Sequence, residues 1–373
     1  MNSWTRWVVQ LCGALAMSCA VGGAAAQIKI GQTADFTGPI APGVREASLG
    51  AKLYFDAVNK AGGIAGQQIE VLALDDKFSP ALAAENAKKL IDQGVVALFL
   101  TRGTPHTQAI MPLLLQYRLP LVGPSSGAMA LHQPAHPWLF NVRATYQREA
   151  ERAIRHLSLI GMSRIALVQV DDSFGADAAA GAMAGFAAVG KQPVLHERFD
   201  RNKPDLSQII PKVVKSEAQA VMLLAAGPVV ADGAARLRAA GSGAQIVTLS
   251  NNASAGFIKM LGSHARGTVV SQVFPYERSI AAPIVKEAIE SARAANVAEV
   301  TPSVLEGYTA AKVLVEGLRR AGPNITREKL RTALESFKRV DLGGLEVSYS
   351  ATDHTGLDYA DLSIIGDDGR FRR

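Results

Sequence analysis

Cysteine is almost missing from this chain. The only two, Cys12 and Cys19, fall within the first twenty-six residues. That stretch reads as removable, so the rest of the chain carries no thiol. Disulfides, cysteine-ligated metal and a cysteine nucleophile are thereby excluded from the mature protein. A large exported domain holds together without disulfides because its core is big enough. Aromatics are few, at 6%, and none is interleaved with a Lys/Arg block. The net charge of +6 is spread thin, with signs alternating in Lys286-Glu287 and Arg327-Glu328-Lys329. Such a surface carries no footprint for nucleic acid.

Cofactor motifs are missing too. There is no P-loop, no G-x-G-x-x-G opening a helix after a strand, and no H-E-x-x-H. His132 and His136 are four apart, but Pro134 between them prevents a shared helical face, so no metal site is expected. Beyond residue 26 no apolar run is long enough to span a membrane. No cofactor is expected.

What is present begins at the N-terminus. Arg6 is followed by an apolar stretch from Val8 to Val21, and the segment closes on Ala24-Ala25-Ala26 before Gln27. This is the layout of a secretory signal peptide, with cleavage expected between Ala26 and Gln27 and a periplasmic destination. A transmembrane anchor would need about twenty apolar residues, and Ala16-Met17-Ser18 matches a lipoprotein site at Cys19 poorly.

From Gln27 onward short apolar runs alternate with longer amphipathic ones. Strands are expected at Ile28–Gln32, Ile69–Leu74, Val95–Leu100, Leu119–Gly123, Ile165–Val170, Val194–Phe199, Ala220–Leu224, Ile246–Leu249 and Val269–Phe274. Helical patterns lie between them, at 44–61, 80–93, 108–117, 147–160, 176–190, 206–215 and 229–240. Runs such as Val95-Val96-Ala97-Leu98-Phe99-Leu100 are apolar throughout, as in parallel strands buried on both faces. The class is α/β, with open, doubly wound sheets. The rhythm breaks after Gly123, where Pro124, Pro134 and Pro137 leave no room for a long helix, and then restarts. That places a lobe boundary near Arg143. The helices expected after Phe274 must cover an existing sheet, taken as that of the first lobe. The division is therefore 27–143 with about 274–340, against 144–273 with about 341–373.

In doubly wound sheets ligands bind beyond the carboxyl ends of the strands. Thr101-Arg102-Gly103-Thr104, Ser125-Ser126-Gly127, Asp171-Asp172-Ser173-Phe174-Gly175 and Ser250-Asn251-Asn252 all follow strands. Free backbone N–H groups and hydroxyls there suit a carboxylate, although the same residue types also serve as caps and turns. Gly123-Pro124-Ser125-Ser126-Gly127 matches the G-x-S-x-G nucleophile elbow, with Asp353-His354 as imaginable partners, so a serine hydrolase using Ser125 is a remote alternative. The elbow needs a long helix after the turn, which Pro134 and Pro137 deny it.

Taken in order, several segments resemble the bacterial leucine/isoleucine/valine-binding proteins: Ile28-Lys29-Ile30-Gly31-Gln32-Thr33 with Phe36-Thr37-Gly38-Pro39, Asn59-Lys60-Ala61-Gly62-Gly63-Ile64-Ala65-Gly66, Leu119-Pro120-Leu121-Val122-Gly123-Pro124-Ser125, Asp171-Asp172-Ser173-Phe174-Gly175 and Leu305-Glu306-Gly307-Tyr308. The resemblance covers the whole chain after residue 26. It implies an extracytoplasmic receptor of an ABC importer, non-enzymatic and monomeric, with two Rossmann-like lobes joined by a three-strand hinge and closing on a small ligand. It implies a membrane permease as partner; an exported sensor feeding a membrane signalling receptor is the alternative. Carried over by position, Thr104, Ser125, Ser126 and the backbone at Gly127 would hold a ligand carboxylate. Phe174 with Ser173 would cover the ligand, and Asn251 would meet its polar substituent. Arg102, absent from the usual motif, would add a second anion contact. The chain also departs from the pattern. Gly127 replaces the usual threonine, Pro42 an aromatic, and Ser250, Asn251 and Asn252 stand where an acid usually receives the ligand ammonium. The expected ligand is an amino-acid-like or small carboxylate solute, with a deaminated carboxylate binding at least as well as the matching amino acid.

Overall fold

The computed structural model describes residues 27–373; the expected signal peptide, with both cysteines, lies outside the described residues. The first sheet contains β1 (Ile28–Ala34), β2 (Ile69–Asp75), β3 (Ala97–Phe99), β4 (Leu121–Val122) and β5 (Leu139–Phe140). All its pairings are parallel, in the order β2-β1-β3-β4-β5. The second contains β6 (Ile165–Val170), β7 (Leu195–Phe199), β8 (Ala220–Leu224), β9 (Gln245–Thr248) and β10 (Val269–Gln272). Following the hairpin β11 (Val340–Asp341) and β12 (Glu346–Val347), the second sheet gains β13 (Asp361–Ile365) and β14 (Phe371–Arg372). Its order is β14-β13-β10-β9-β8-β6-β7, with β13 and β14 antiparallel. These are the two Rossmann-like lobes. Central β6 and β8 are buried at every residue, whereas edge strands β2 and β7 alternate, as expected where only one face is covered.

The late helices Pro302–Ala321 and Arg327–Glu335 return to the first lobe. Pro302–Ala321 lies against Ala41–Lys60 so closely that a Cβ on Gly50 would sit 1.8 Å from the Val304 carbonyl oxygen, and one on Gly307 1.7 Å from that of Ala47. Only glycine allows backbones to approach to this degree. Residues from about 341 onward are expected in the second lobe. The β11–β12 hairpin instead packs Val340, Leu342 and Val347 into the first lobe's core, and the chain crosses only afterwards. A second difference is the helix Ala255–Leu261, which buries Phe257 and Leu261 where no helix was expected.

Three segments cross between the lobes: 141–145, 273–282 and 348–360. The first and third are stitched together, Asn141 N donating to the His354 carbonyl at 2.9 Å and Leu357 N to that of Val142 at 3.0 Å. Among the described residues no helix is long and apolar enough to cross a membrane.

Candidate functional site

The carboxyl ends of both sheets face each other across a cleft, and the loops there are bent by unusual backbone. At the end of β3, Leu100 adopts φ 51° and Gly103 φ 96°, and the turn between them swings Arg102 inward. Left-handed non-glycine residues cost on the order of 1–3 kcal/mol and concentrate at functional sites. After β2, Lys77 and Phe78 take φ 48° and 60°. Asp76 holds that turn by accepting from Phe78 N at 3.0 Å and from the Thr33 hydroxyl at 3.3 Å. Burial pushes the Asp76 carboxyl up to about 7.

A cavity of about 230 Å³ lies between the lobes. The first lobe lines it with Ile40, Phe78, Arg102 and Thr104. The second contributes Tyr146, Phe174, Phe199, Arg201, Ala226, Val229 and Asn251. Phe174 meets Tyr146 edge to face at 4.9 Å. The wall is apolar and aromatic apart from two guanidinium groups, the hydroxyls of Thr104 and Tyr146 and one amide; no carboxylate lines it.

Arg102 is only 6% exposed. It donates to the Ser125 hydroxyl at 2.6 Å and, across the cleft, to the Asn251 carbonyl at 2.5 Å. Among the described residues it forms no ion pair. The buried acids behind it are already engaged. Glu306 accepts from Ser125 at 2.8 Å and lies 3.8 Å from Arg143. Glu149 is paired with Arg143 and takes Ser250 N at 2.9 Å and the Ser271 hydroxyl. Arg143 also donates to the Ser250 hydroxyl at 2.6 Å. The result is a buried cation that reaches an acid only through a serine hydroxyl. Such a charge is costly without an anionic partner.

The structure brings Arg102, Thr104, Phe174 and Asn251 together around the cavity. Thr104 shares a hydrogen bond of 2.8 Å with Ser126. The Asn251 side chain donates to the Ala225 carbonyl at 3.1 Å and leaves its own oxygen without a partner. Ser125, Ser126 and Gly127 lie behind this wall. A Cβ on Gly127 would come within 2.6 Å of the Ala144 carbonyl and 2.8 Å of Tyr146 N, which explains the missing threonine: the first crossing occupies its space. Ser173 lies outside the wall and donates across the cleft to Gln108 at 2.7 Å. Pro42 packs on Gly256 of the opposite lobe. The nucleophile-elbow reading fails: Ser125 is held by Arg102 and Glu306 with no histidine partner. His354 instead stacks on Phe140 and bonds the carbonyls of His136 and Leu139. Only a 3-10 turn, Met129–Leu131, follows Gly127.

Phe78, Tyr146, Phe199 and Arg201 were missed in the sequence. Phe199 and Arg201 sit at the carboxyl end of β7, where the strand-end rule would have found them. Tyr146 is reached only by the geometry of the crossing, which no local pattern announces.

A sequence profile described as "Periplasmic binding protein" matches residues 27–365. The Leu/Ile/Val-binding protein homolog 3 of Brucella melitensis is 24% identical over 357 residues, covering 92% of this chain and 94% of the relative. A solved substrate-binding periplasmic protein from Ralstonia solanacearum has 30% identity and a TM-score of 0.86, covering 92% of this chain and 99% of its own. A possible leucine/isoleucine/valine-binding protein from Rhodopirellula baltica superposes with a TM-score of 0.87 at 25% identity, over 93% and 96% of the two chains.

Proposed function

The chain belongs to the periplasmic binding protein family, a non-enzymatic one, and on that premise we propose that it captures a small carboxylate with an apolar body and hands it to the permease of an ABC importer. The protein is exported, its signal segment being cut before Gln27. The observation that carries the ligand class is the Arg102 guanidinium, buried at the cavity wall without an ion pair. A carboxylate placed there gains a charge-assisted hydrogen bond and a hydroxyl from Thr104. An ammonium group finds no acid on the wall, so a free amino acid is disfavoured. The aromatic and aliphatic lining takes the rest of the ligand, in the manner of small-molecule pockets with few polar anchors.

Replacing Arg102 by Met tests the assignment. No acid loses its sole partner, because Glu306 keeps Ser125 and Arg143. The variant is expected to fold and to bind carboxylates at least a hundredfold more weakly by calorimetry, since hydrogen bonds to charged groups are worth about 1.5–3 kcal/mol before the burial penalty is counted. Unchanged affinity would remove Arg102 from the site.

A further inference from the structure

The cavity has a second guanidinium, and it differs from the first. Arg201 lies at the carboxyl end of β7, donates to Asp172 at 2.5 Å, and rests its guanidinium 4.3 Å from the Phe78 ring centre. Its side chain is 19% exposed and that of Asp172 10%. Asp172 is itself fixed, accepting from Gly175 N at 2.9 Å at the start of its helix. The Arg201 charge is therefore already balanced, while its Nη2 is buried without a partner. A buried donor in that state is costly unless something bonds to it. The neighbouring His106 is no substitute. Its ring stacks on Phe78, and neither ring nitrogen bonds to Arg201.

Sheet order fixes where this donor stands relative to Arg102. Arg102 follows β3 and Phe78 follows β2, two strands away in the order β2-β1-β3. Arg201 rests on Phe78, so the two guanidinium groups stand against strand ends of the first sheet that lie about two strand spacings, roughly 10 Å, apart. Phe174 and Tyr146 lie on the wall they share.

Resting on the reading of Arg102 as the carboxylate anchor, we propose that Arg201 is a specificity-determining residue that selects carboxylates carrying a neutral oxygen acceptor, a hydroxyl or carbonyl, at the end remote from the carboxylate. A second carboxylate is disfavoured there because Asp172 already balances the charge, and an added anion would be buried without compensation.

Calorimetry of residues 27–373 with phenylacetate, 4-hydroxyphenylacetate and 4-carboxyphenylacetate tests this. The hydroxylated acid is expected to bind about tenfold tighter than phenylacetate and tighter than the diacid. In Arg201→Lys, which keeps a charge beside Asp172 but loses the planar fork, the ratio of the 4-hydroxyphenylacetate and phenylacetate affinities falls to about one, whatever happens to phenylacetate binding itself. Equal binding of the two monoacids, tighter binding of the diacid, or a preference that survives Arg201→Lys overturns the proposal and leaves Arg102 in place. If the variant fails to fold by circular dichroism, the three wild-type affinities decide. If none of the three acids binds but 4-methylpentanoate does, Arg201 is not a selector; if no carboxylate binds at all, the reading of Arg102 falls with it.

Discussion

At the scale of single residues, the cleft is governed by what each polar group lacks. Among the described residues Thr104 has only Ser126 as a partner for its hydroxyl, so Thr104→Val is expected to weaken carboxylate binding by about 1–3 kcal/mol, read by calorimetry. Asp76 gives a pH signature. Its folded pKa of about 7 stands above the ordinary 3.8, chiefly because it is buried. A carboxyl raised in the folded state favours folding while protonated in both states, and that advantage is lost as pH rises from about 4 to about 7. The wild type should therefore lose stability relative to Asp76→Asn between pH 5 and pH 8 in urea unfolding. A parallel pH response in the two proteins would mean that Asp76 is ionised in the fold. The position of Arg102 on the cavity wall was legible in the sequence because its loop follows an apolar strand. Arg201 was passed over because β7 is an edge strand followed by a charged, proline-containing stretch that resembles an ordinary surface loop.

At the scale of elements, the apolar runs located the strands well because parallel strands are buried on both faces. The runs expected at Ile165–Val170 and Ala220–Leu224 are β6 and β8 residue for residue. Short elements escaped. Ala255–Leu261 has seven residues including a glycine, too few for helical periodicity to register. The helix at Thr104–Gln116 starts four residues before the expected Gln108, because Pro105 was not read as the first-turn proline that helices accept. The loop after β4 belongs to this scale as well. Restoring the family's threonine with Gly127→Thr forces a side chain into the Ala144–Tyr146 backbone, so a loss of about 1–3 kcal/mol is expected in denaturant unfolding. A neutral result would mean that the first crossing yields easily.

At the scale of the whole molecule, the two lobes stand closed on each other. Arg102 bonds Asn251, Ser173 bonds Gln108, and the first lobe's Glu46 accepts from Ala255 N at 3.1 Å and Gly256 N at 2.8 Å of the second. None of these contacts was readable in the chain, since each joins residues brought together only by closure. The lobes and their hinge were legible from the family-like segments, whereas the cavity's charge depends on how the buried acids are shared out behind it. Glu149 and Glu306 are engaged with Arg143, Ser250 and Ser125 behind the cavity, which leaves its wall with guanidinium groups and no acid. The most direct test is a calorimetric titration of residues 27–373 with leucine and with its deaminated analogue 4-methylpentanoate under identical conditions. The acid is expected to bind at least as tightly as the amino acid. Leucine binding about a hundredfold tighter, roughly 2.7 kcal/mol, would contradict it and require an acid within reach of the ligand's ammonium group.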